Sequence, residues 1–500
     1  MSQFIPDLRY SYERVDRVDR RWQGFFALFM AMLVGLVAFA VTSVVAEKLR
    51  PSRMAVIPVG LFLALIIIQL NIVRESVLFL WVVSVTYFRN YFLISQKGEA
   101  QGLYFIPSDL PLALLIVVWL VEGIWQKRLI HGRVGWAWIA ILPWLGSHLI
   151  ELTTAARPDW VLWEHVKLLR GLVVLLLIPA LCRSRDWWIC IAGIAVGVMG
   201  QSLLGISQVA LRRSAFVLEG EAIVRAAGTM MHPNMLAAYL LVTIPVLFAV
   251  GFGARQSWVR WSSLLAGMIG VGGLLATQSR TPVVLFVVQF LLVILFLLRR
   301  GNVQPKWLLG TGALMILLGV AGVTPIADKI LERISGNWKE SVDFRAETNA
   351  LAYDIFEKNQ VFGVGPSHFT KQMTKSNKVY AKLYKDNVDL AKATNVRYIL
   401  AVHNTYLLVL AEGGLLGFAG LFFLLIFGLG LGIRAVYRTS GDVQAACLGL
   451  TIGLLGIYGQ GMTEYSIVMD QGLLPTVLVM ALLSCAPTLQ KETIRPELLT

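Results

Sequence analysis

"LLAGMIGVGGLLATQSRTPVVLFVVQFLLVILFLL" occupies positions 264–298. One crossing of a bilayer takes about 20 apolar residues, so this run is too long for one span. Its centre, "TQSRTP" (277–282), carries a glutamine, an arginine and a proline. Amide and guanidinium are costly in lipid, so the polar break must sit at an interface or a protein-lined cavity. The stretch therefore reads as a membrane hairpin, two helices joined by a tight turn that bears Arg280.

Apolar runs of this kind recur along the 500 residues. The chain is 57% hydrophobic and 15% charged, where a soluble domain is about a quarter charged. Its mean hydropathy is +0.69. A membrane barrel would show short alternating segments instead. The fold class is an all-α polytopic membrane protein with about 14 transmembrane helices, in the range of about 12 to 14. Spans are expected near 24–46, 54–72, 76–94, 108–125, 135–150, 167–182, 186–208, 234–252, 258–278, 281–298, 307–324, 403–433, 444–462 and 471–487.

The formal net charge of +14 reads as cytoplasmic loops enriched in Lys and Arg, not as a nucleic-acid surface. The basic loops "QKRLIHGR" (126–133), "CRSRD" (182–186), "ARQSWVR" (254–260), "RRGNVQPK" (299–306) and "RAVYR" (434–438) fall on one side in this count. That side is the cytoplasm, with both termini on it; only "EKLRPSR" (47–53) lies against the rule. The division is a cytoplasmic tail (1–23), N-terminal spans (24–210), core spans with arginine-bearing outer segments (211–323), a large outer loop (324–402), C-terminal spans (403–487) and a tail (488–500). Cys182, Cys190, Cys447 and Cys485 lie in or beside apolar runs without a metal or disulfide pattern.

A loop from 324 to 402 is too long to be a bare connector and should carry structure. "SVDFRAETNALAYDIFEKN" (341–359) reads as an amphipathic helix with Phe344, Leu351, Ile355 and Phe356 on one side. "VFGVGPSHF" (361–369) breaks it through Gly363, Gly365 and Pro366. Lys371, Lys375, Lys378, Lys382 and Lys385 then share one helical face. That stripe is either a solvated face or a surface for anionic sugar, phosphate or headgroups.

Arg225, Arg280 and Arg345 all fall on the outer side. Guanidinium matches phosphate through bidentate charge-assisted bonds. The other reading of Arg280 is an interfacial anchor. His403 stands where the long loop re-enters the membrane. The helix N-terminus there favours neutral imidazole, which accepts a proton from a hydroxyl; the plainer reading is a polar cap. His232 and His368 read as loop structure. No metal-ligand spacing and no phosphate-binding glycine loop occurs in the sequence, so neither a metal nor a cofactor is expected.

"HNTYLLVLAEGGLLG" (403–417) resembles the signature of O-antigen ligases and related Wzy-type polymerases: His403 and Asn404, nine residues, Gly414, two residues, Gly417. "RAAGTMMHPNMLAAYL" (225–240), which holds Asn234, "TQSRT" (277–281) and "FRAETNALAYDIFEKNQVFGVGPSHF" (344–369) resemble the family's other segments, in its order. The resemblance covers roughly 225–420. It implies a GT-C-like membrane glycosyltransferase of the bacterial inner (cytoplasmic) membrane whose active site faces the periplasm. Such enzymes pass a glycan from undecaprenyl diphosphate to a sugar hydroxyl, on another lipid-linked glycan (polymerase) or on lipid A core (ligase), in O-antigen, lipopolysaccharide or exopolysaccharide biosynthesis. The size of the loop and the number of spans lean toward the polymerase. The family is viewed as inverting and metal-independent. The implied partners are the donor, the acceptor, the bilayer and other polysaccharide-assembly proteins, and no nucleic acid. On this reading His403 is the base, Arg280 the first diphosphate ligand, and Arg225, Arg345 and Asn404 further substrate contacts. The reading from another class is a flippase or transporter of the same pathway. Its usual mark, broken helices in two related halves, is not visible in the sequence.

One geometric expectation concerns the helix that follows His403. In a regular helix Gly414 and Gly417 lie beneath the imidazole, as a smooth surface for helix packing or a polyprenyl groove, and Glu412 faces away toward a polar group on a neighbouring span.

Overall fold

A computed structural model describes residues 73–87, 92–93, 104–125, 135–212, 224–230, 232–299, 338–369, 372 and 402–494. The expected spans at 24–46, 54–72 and 307–324 lie outside the described residues, as does the lysine stripe. The chain divides into two compact units, Met1–Phe79 and Leu80–Thr500. Of the first, residues 73–79 are described and open helix α1 (Val73–Ser84).

The second unit continues with α2 (Asp109–Trp125), α3 (Leu142–Thr154), α4 (Pro158–Leu181), α5 (Ser184–Ala210), α6 (Pro233–Gly253), α7 (Ser257–Ala276), α8 (Arg280–Arg299), α9 (Trp338–Lys358), α10 (Thr405–Arg438), α11 (Gly441–Gln460) and α12 (Asp470–Ile494). Two-residue strands β1 (Phe92–Leu93) and β2 (Tyr104–Phe105) pair antiparallel. Among the described residues seven helices are long and apolar enough to cross a membrane: α5, α6, α7, α8, α10, α11 and, over Asp470–Gln490, α12. The chain is an all-α, multi-pass membrane protein.

Two span expectations need correction. The run expected at 76–94 is helical only to Ser84 and then turns. The following "TYFRNYFL" is rich in aromatic residues, which favour extended backbone, and it supplies β1. The span expected at 167–182 begins nine residues earlier, at Pro158. Its polar first half stays helical because its charges are answered inside the protein. Lys167 Nζ donates to both carboxylate oxygens of Glu164 at 2.9 Å, and Arg170 pairs with Asp109 and Asp470.

α6 is apolar on every side, and a helix of that kind belongs in the interior. It is buried along its whole apolar length, packed by α7, α8, α11 and α12. Pro245 lies inside it. Proline has no N–H, so the carbonyl four residues earlier loses its helical partner. That carbonyl, Leu241 O, accepts from the Gln289 side chain of α8 at 3.0 Å, and the same Nε2 reaches Ile452 O of α11 at 2.8 Å. One buried amide thus ties three helices through bonds that lipid cannot replace.

α10 is not a regular helix. Gly414 has φ 60° and ψ −159°, and two helical pieces meet there. The break leaves carbonyls before it and N–H groups after it without helical partners. The loop after α9 inserts and takes them. Val364 N donates to Ala411 O (3.2 Å) and Gly365 N to Glu412 O (2.7 Å), while Leu415 N donates to Gln360 O (2.7 Å) and Leu416 N to Val361 O (3.2 Å). Backbone meets backbone here. A Cβ on Gly363 would overlap the Glu412 carbonyl, and one on Gly414 would overlap the Val361 carbonyl; both glycines also have positive φ.

The expected glycine surface beneath His403 is therefore interrupted at its first member. Gly417 instead faces Glu151 and Ser147 of α3, and a Cβ on Gly420 would stand 2.6 Å from Trp144 Cα. These glycines let α3 approach α10 closely. Glu412 reaches the inserted loop. Its Oε1 accepts from Phe369 N–H of the inserted loop at 3.0 Å. The amphipathic helix at 341–359 appears as α9, with Thr348, Ala352 and Ile355 buried; of the apolar side expected, Ile355 is buried, Leu351 and Phe356 are half-buried, and the Phe344 side chain lies outside the described residues.

Candidate functional site

Five segments far apart in sequence converge where the long loop enters α10. They are the approach to α6 (224–230 and 232–234), the α7–α8 turn (277–279), α9, the start of α10 (402–405) and the α11–α12 connection (461–469). Thr405 fastens two of them: its N–H donates to Gly461 O at 2.7 Å and its Oγ1 to Glu464 O at 2.8 Å. Gln460 Nε2 donates to Asn234 O at 3.0 Å and brings in a third.

Glu464 stands at the centre, its side chain 4% exposed. Its Oε1 accepts from His403 Nδ1 at 2.8 Å and from Asn234 Nδ2 at 2.6 Å. Arg345 of α9 brings a guanidinium nitrogen to 3.9 Å from the same oxygen. Burial alone would raise the Glu464 pKa, but the His403 ring and its hydrogen bond, His232 and Arg345 outweigh it and hold the carboxyl down at about 2. Glu464 is therefore a carboxylate at neutral pH and only accepts hydrogen bonds. The imidazole then carries a proton on Nδ1, so that in its neutral form the lone pair is on Nε2.

The network continues outward. Asn234 Oδ1 accepts from Arg225 at 3.0 Å and from Ser279 Oγ at 2.8 Å. Arg225 is buried; its Nε donates to Thr277 O at 2.9 Å and its second nitrogen to Ser279 Oγ at 2.9 Å. Donation by Asn234 Nδ2 and acceptance by its Oδ1 fix the amide's orientation. With a neutral imidazole, the cluster holds Arg225 and Arg345 against the single charge of Glu464. Its net charge is positive, which suits an anion.

The sequence-derived residues separate by role. His403, Asn234, Arg225 and Arg345 come together on Glu464. Arg280 is exposed at the first residue of α8, next in chain to Ser279. Asn404 is the N-cap of α10, its Oδ1 accepting from Tyr406 N at 2.9 Å and Leu407 N at 3.1 Å, a task the sequence reading did not give it. Gly363, Gly365 and Gly414 build the loop insertion, and Gly417 the contact with α3. His232 caps α6, with Nδ1 accepting from Asn234 N–H at 3.2 Å. Burial, opposed by Glu464 and helped by Arg225 and His403, lowers its pKa to about 4. His368 accepts from Arg157 N–H at 3.1 Å and faces Pro366 O at 2.9 Å, both within loop packing.

Glu464 is the residue that sequence reasoning missed. The available signal was a lone carboxylate in the short connection "GQGMTEYSIVM" (459–469), between two apolar runs, where an unpaired charge would be costly. Among the described residues no group of three or more metal-ligating side chains comes together.

A protein-family model described as O-antigen ligase matches residues 265–422. The matched segment runs from within α7 through α8, α9 and the loop insertion to the middle of α10, and it bears out the resemblance carried by the His403–Gly417 motif. Arg225, Asn234 and Glu464 lie outside it. No curated protein matches the chain.

Proposed function

We propose that this membrane protein transfers a glycan from undecaprenyl diphosphate to a sugar hydroxyl on the periplasmic face, as a polymerase or ligase of surface polysaccharide assembly. The observation that carries the reading is the His403–Glu464 pair, a buried carboxylate 2.8 Å from imidazole Nδ1. A general base needs a lone pair aimed at the acceptor and a fixed tautomer. Glu464 supplies the second and stabilises the imidazolium that forms during transfer.

In the reaction His403 Nε2 takes the proton of the acceptor hydroxyl. The acceptor oxygen forms a bond to the anomeric carbon as that carbon's bond to the diphosphate oxygen breaks, with inversion. The electron pair leaves with undecaprenyl diphosphate. Its growing charge falls to arginine, with Arg345 and Arg280 as direct ligands, in place of a metal. Arg225 is spent on Asn234, Ser279 and Thr277, so it holds Asn234 against Glu464. The diphosphate already carries the activation, so no nucleotide enters.

The test uses purified protein, an undecaprenyl-diphosphate-linked oligosaccharide, and the same lipid-linked oligosaccharide or lipid A core as acceptor, with EDTA present. Wild type releases undecaprenyl diphosphate and His403→Ala does not. Full activity of His403→Ala overturns the assignment of the base. Lipid translocation in vesicles without glycan transfer, over both acceptors, overturns the enzyme reading. The acceptor that is consumed decides between polymerase and ligase.

A further inference from the structure

A helix that crosses lipid normally closes its backbone bonds within itself, and a break at membrane depth survives only where protein satisfies the freed groups. α10 has such a break at Gly414, and residues 360–365 satisfy it with four backbone bonds. The insertion is locked a second time downstream. Phe369 N–H donates to Glu412 Oε1, Ser367 Oγ to Glu164 Oε1 at 2.6 Å, and Arg157 N–H to His368.

α9 ends at Lys358, two residues before the first of these bonds. Arg345 lies thirteen residues before that end, roughly 20 Å along the axis at 1.5 Å per residue. A tilt of about 10° at the insertion would carry Arg345 about 3 Å sideways. That is as large as the gap between contact and no contact with Glu464. Over its described side chains, from Arg345 on, α9 buries Thr348, Ala352 and Ile355, and it packs against α10.

We propose that the broken helix at Gly414 and the 360–369 insertion form a positioning device for Arg345. Gly363, Gly414 and Glu412 then govern how the site binds a polyprenyl diphosphate without touching it. The inference rests on the reading that Arg345 meets the donor diphosphate. It also explains the spacing of the motif: the nine residues after Asn404 set the depth at which the loop is anchored beneath the imidazole.

The test uses full-length protein in nanodiscs. Spin labels replace Tyr353 on α9 and Met462 in the α11–α12 connection, both exposed and outside the hydrogen-bonded cluster. Their distance distribution is recorded for wild type, Glu412→Ala, Glu412→Gln and Gly414→Ala. Binding of farnesyl diphosphate, and kcat and KM for the glycan donor, are measured on the same proteins. Glu412→Gln keeps an acceptor for Phe369 N–H and should match wild type. Glu412→Ala and Gly414→Ala should broaden the distribution and weaken farnesyl diphosphate binding and donor KM about tenfold, with kcat at saturation within about threefold. If Gly414→Ala does not fold, the two Glu412 variants carry the comparison. A narrow distribution with unchanged diphosphate affinity in Glu412→Ala overturns the inference, and so does weaker binding without any change in distance. Failure of the wild type to bind the diphosphate or transfer glycan overturns the functional reading first, and this inference with it.

Discussion

Glu464 Oε1 lies 2.8 Å from Nδ1 of His403, sixty-one residues earlier in the chain. The pair joins the start of α10 to the connection between α11 and α12, and it gives the imidazole one defined tautomer. Removing the charge while keeping the shape should expose its role. Glu464→Gln is expected to lower kcat by about 10²-fold to 10⁴-fold with donor KM little changed. Steady-state kinetics of undecaprenyl diphosphate release decide it; a kcat within threefold of wild type would remove Glu464 from the mechanism.

Acid stability should show two separate windows. The Glu464 pKa is depressed from 4.5 to about 2, so its contribution is complete above about 4.5 and is lost as pH falls toward 2. The His232 pKa is depressed from 6.5 to about 4. The unfolded chain takes up this proton first, so stability falls as pH drops from 6.5 to 4. Melting temperature in detergent, scanned from pH 7 to pH 3, should lose the upper slope in His232→Asn and the lower one in Glu464→Gln. Unchanged slopes in both variants would contradict the assigned burial.

The arginines should separate by what they lose. Arg345 is 40% exposed, while Arg225 is buried with three protein acceptors. Arg345→Ala is expected to raise donor KM or lower kcat by about tenfold or more while Tm stays nearly constant. Arg225→Ala should lower Tm by an amount equivalent to about 2 kcal/mol or more, since it strands buried acceptors. Thermal melts beside kinetics would show the reverse pattern if Arg225 were the exposed ligand.

Asn404 offers a choice between cap and substrate contact. Serine and aspartate replace asparagine well as N-caps, and alanine costs about 1 kcal/mol. Asn404→Ser and Asn404→Asp should keep activity within about threefold, with Asn404→Ala less stable. A loss of activity common to all three, at unchanged Tm, would return Asn404 to the substrate.

Gln289 replaces a bond that Pro245 cannot make. Gln289→Leu should destabilise by about 1 to 3 kcal/mol. Pro245→Ala restores an N–H within reach of Leu241 O, so the double variant should lose less than the sum of the single changes. Additive melting shifts would disprove the exchange of donors.

Much of the membrane architecture was legible in the sequence. A span must be about 20 apolar residues long whatever its neighbours, and a buried charge is costly wherever it sits. Hence the hairpin around "TQSRTP" appears as α7 and α8, and the His403 segment begins α10 where expected. The starts and ends of spans were less legible where charges are paired inside the protein, as in α4, because pairing is a property of contacts rather than of composition.

The partner of His403, the break at Gly414 and the surroundings of the arginines were decided by tertiary structure alone. Sequence spacing fixes angles only within a regular helix, and α10 stops being regular where another segment supplies its hydrogen bonds. Glu464 is, in sequence, one acidic residue in a short uncharged connection between two apolar runs. It becomes the centre of the site because the α11–α12 connection folds back against the start of α10, and burial with His403, Asn234 and Arg345 around it keeps its charge.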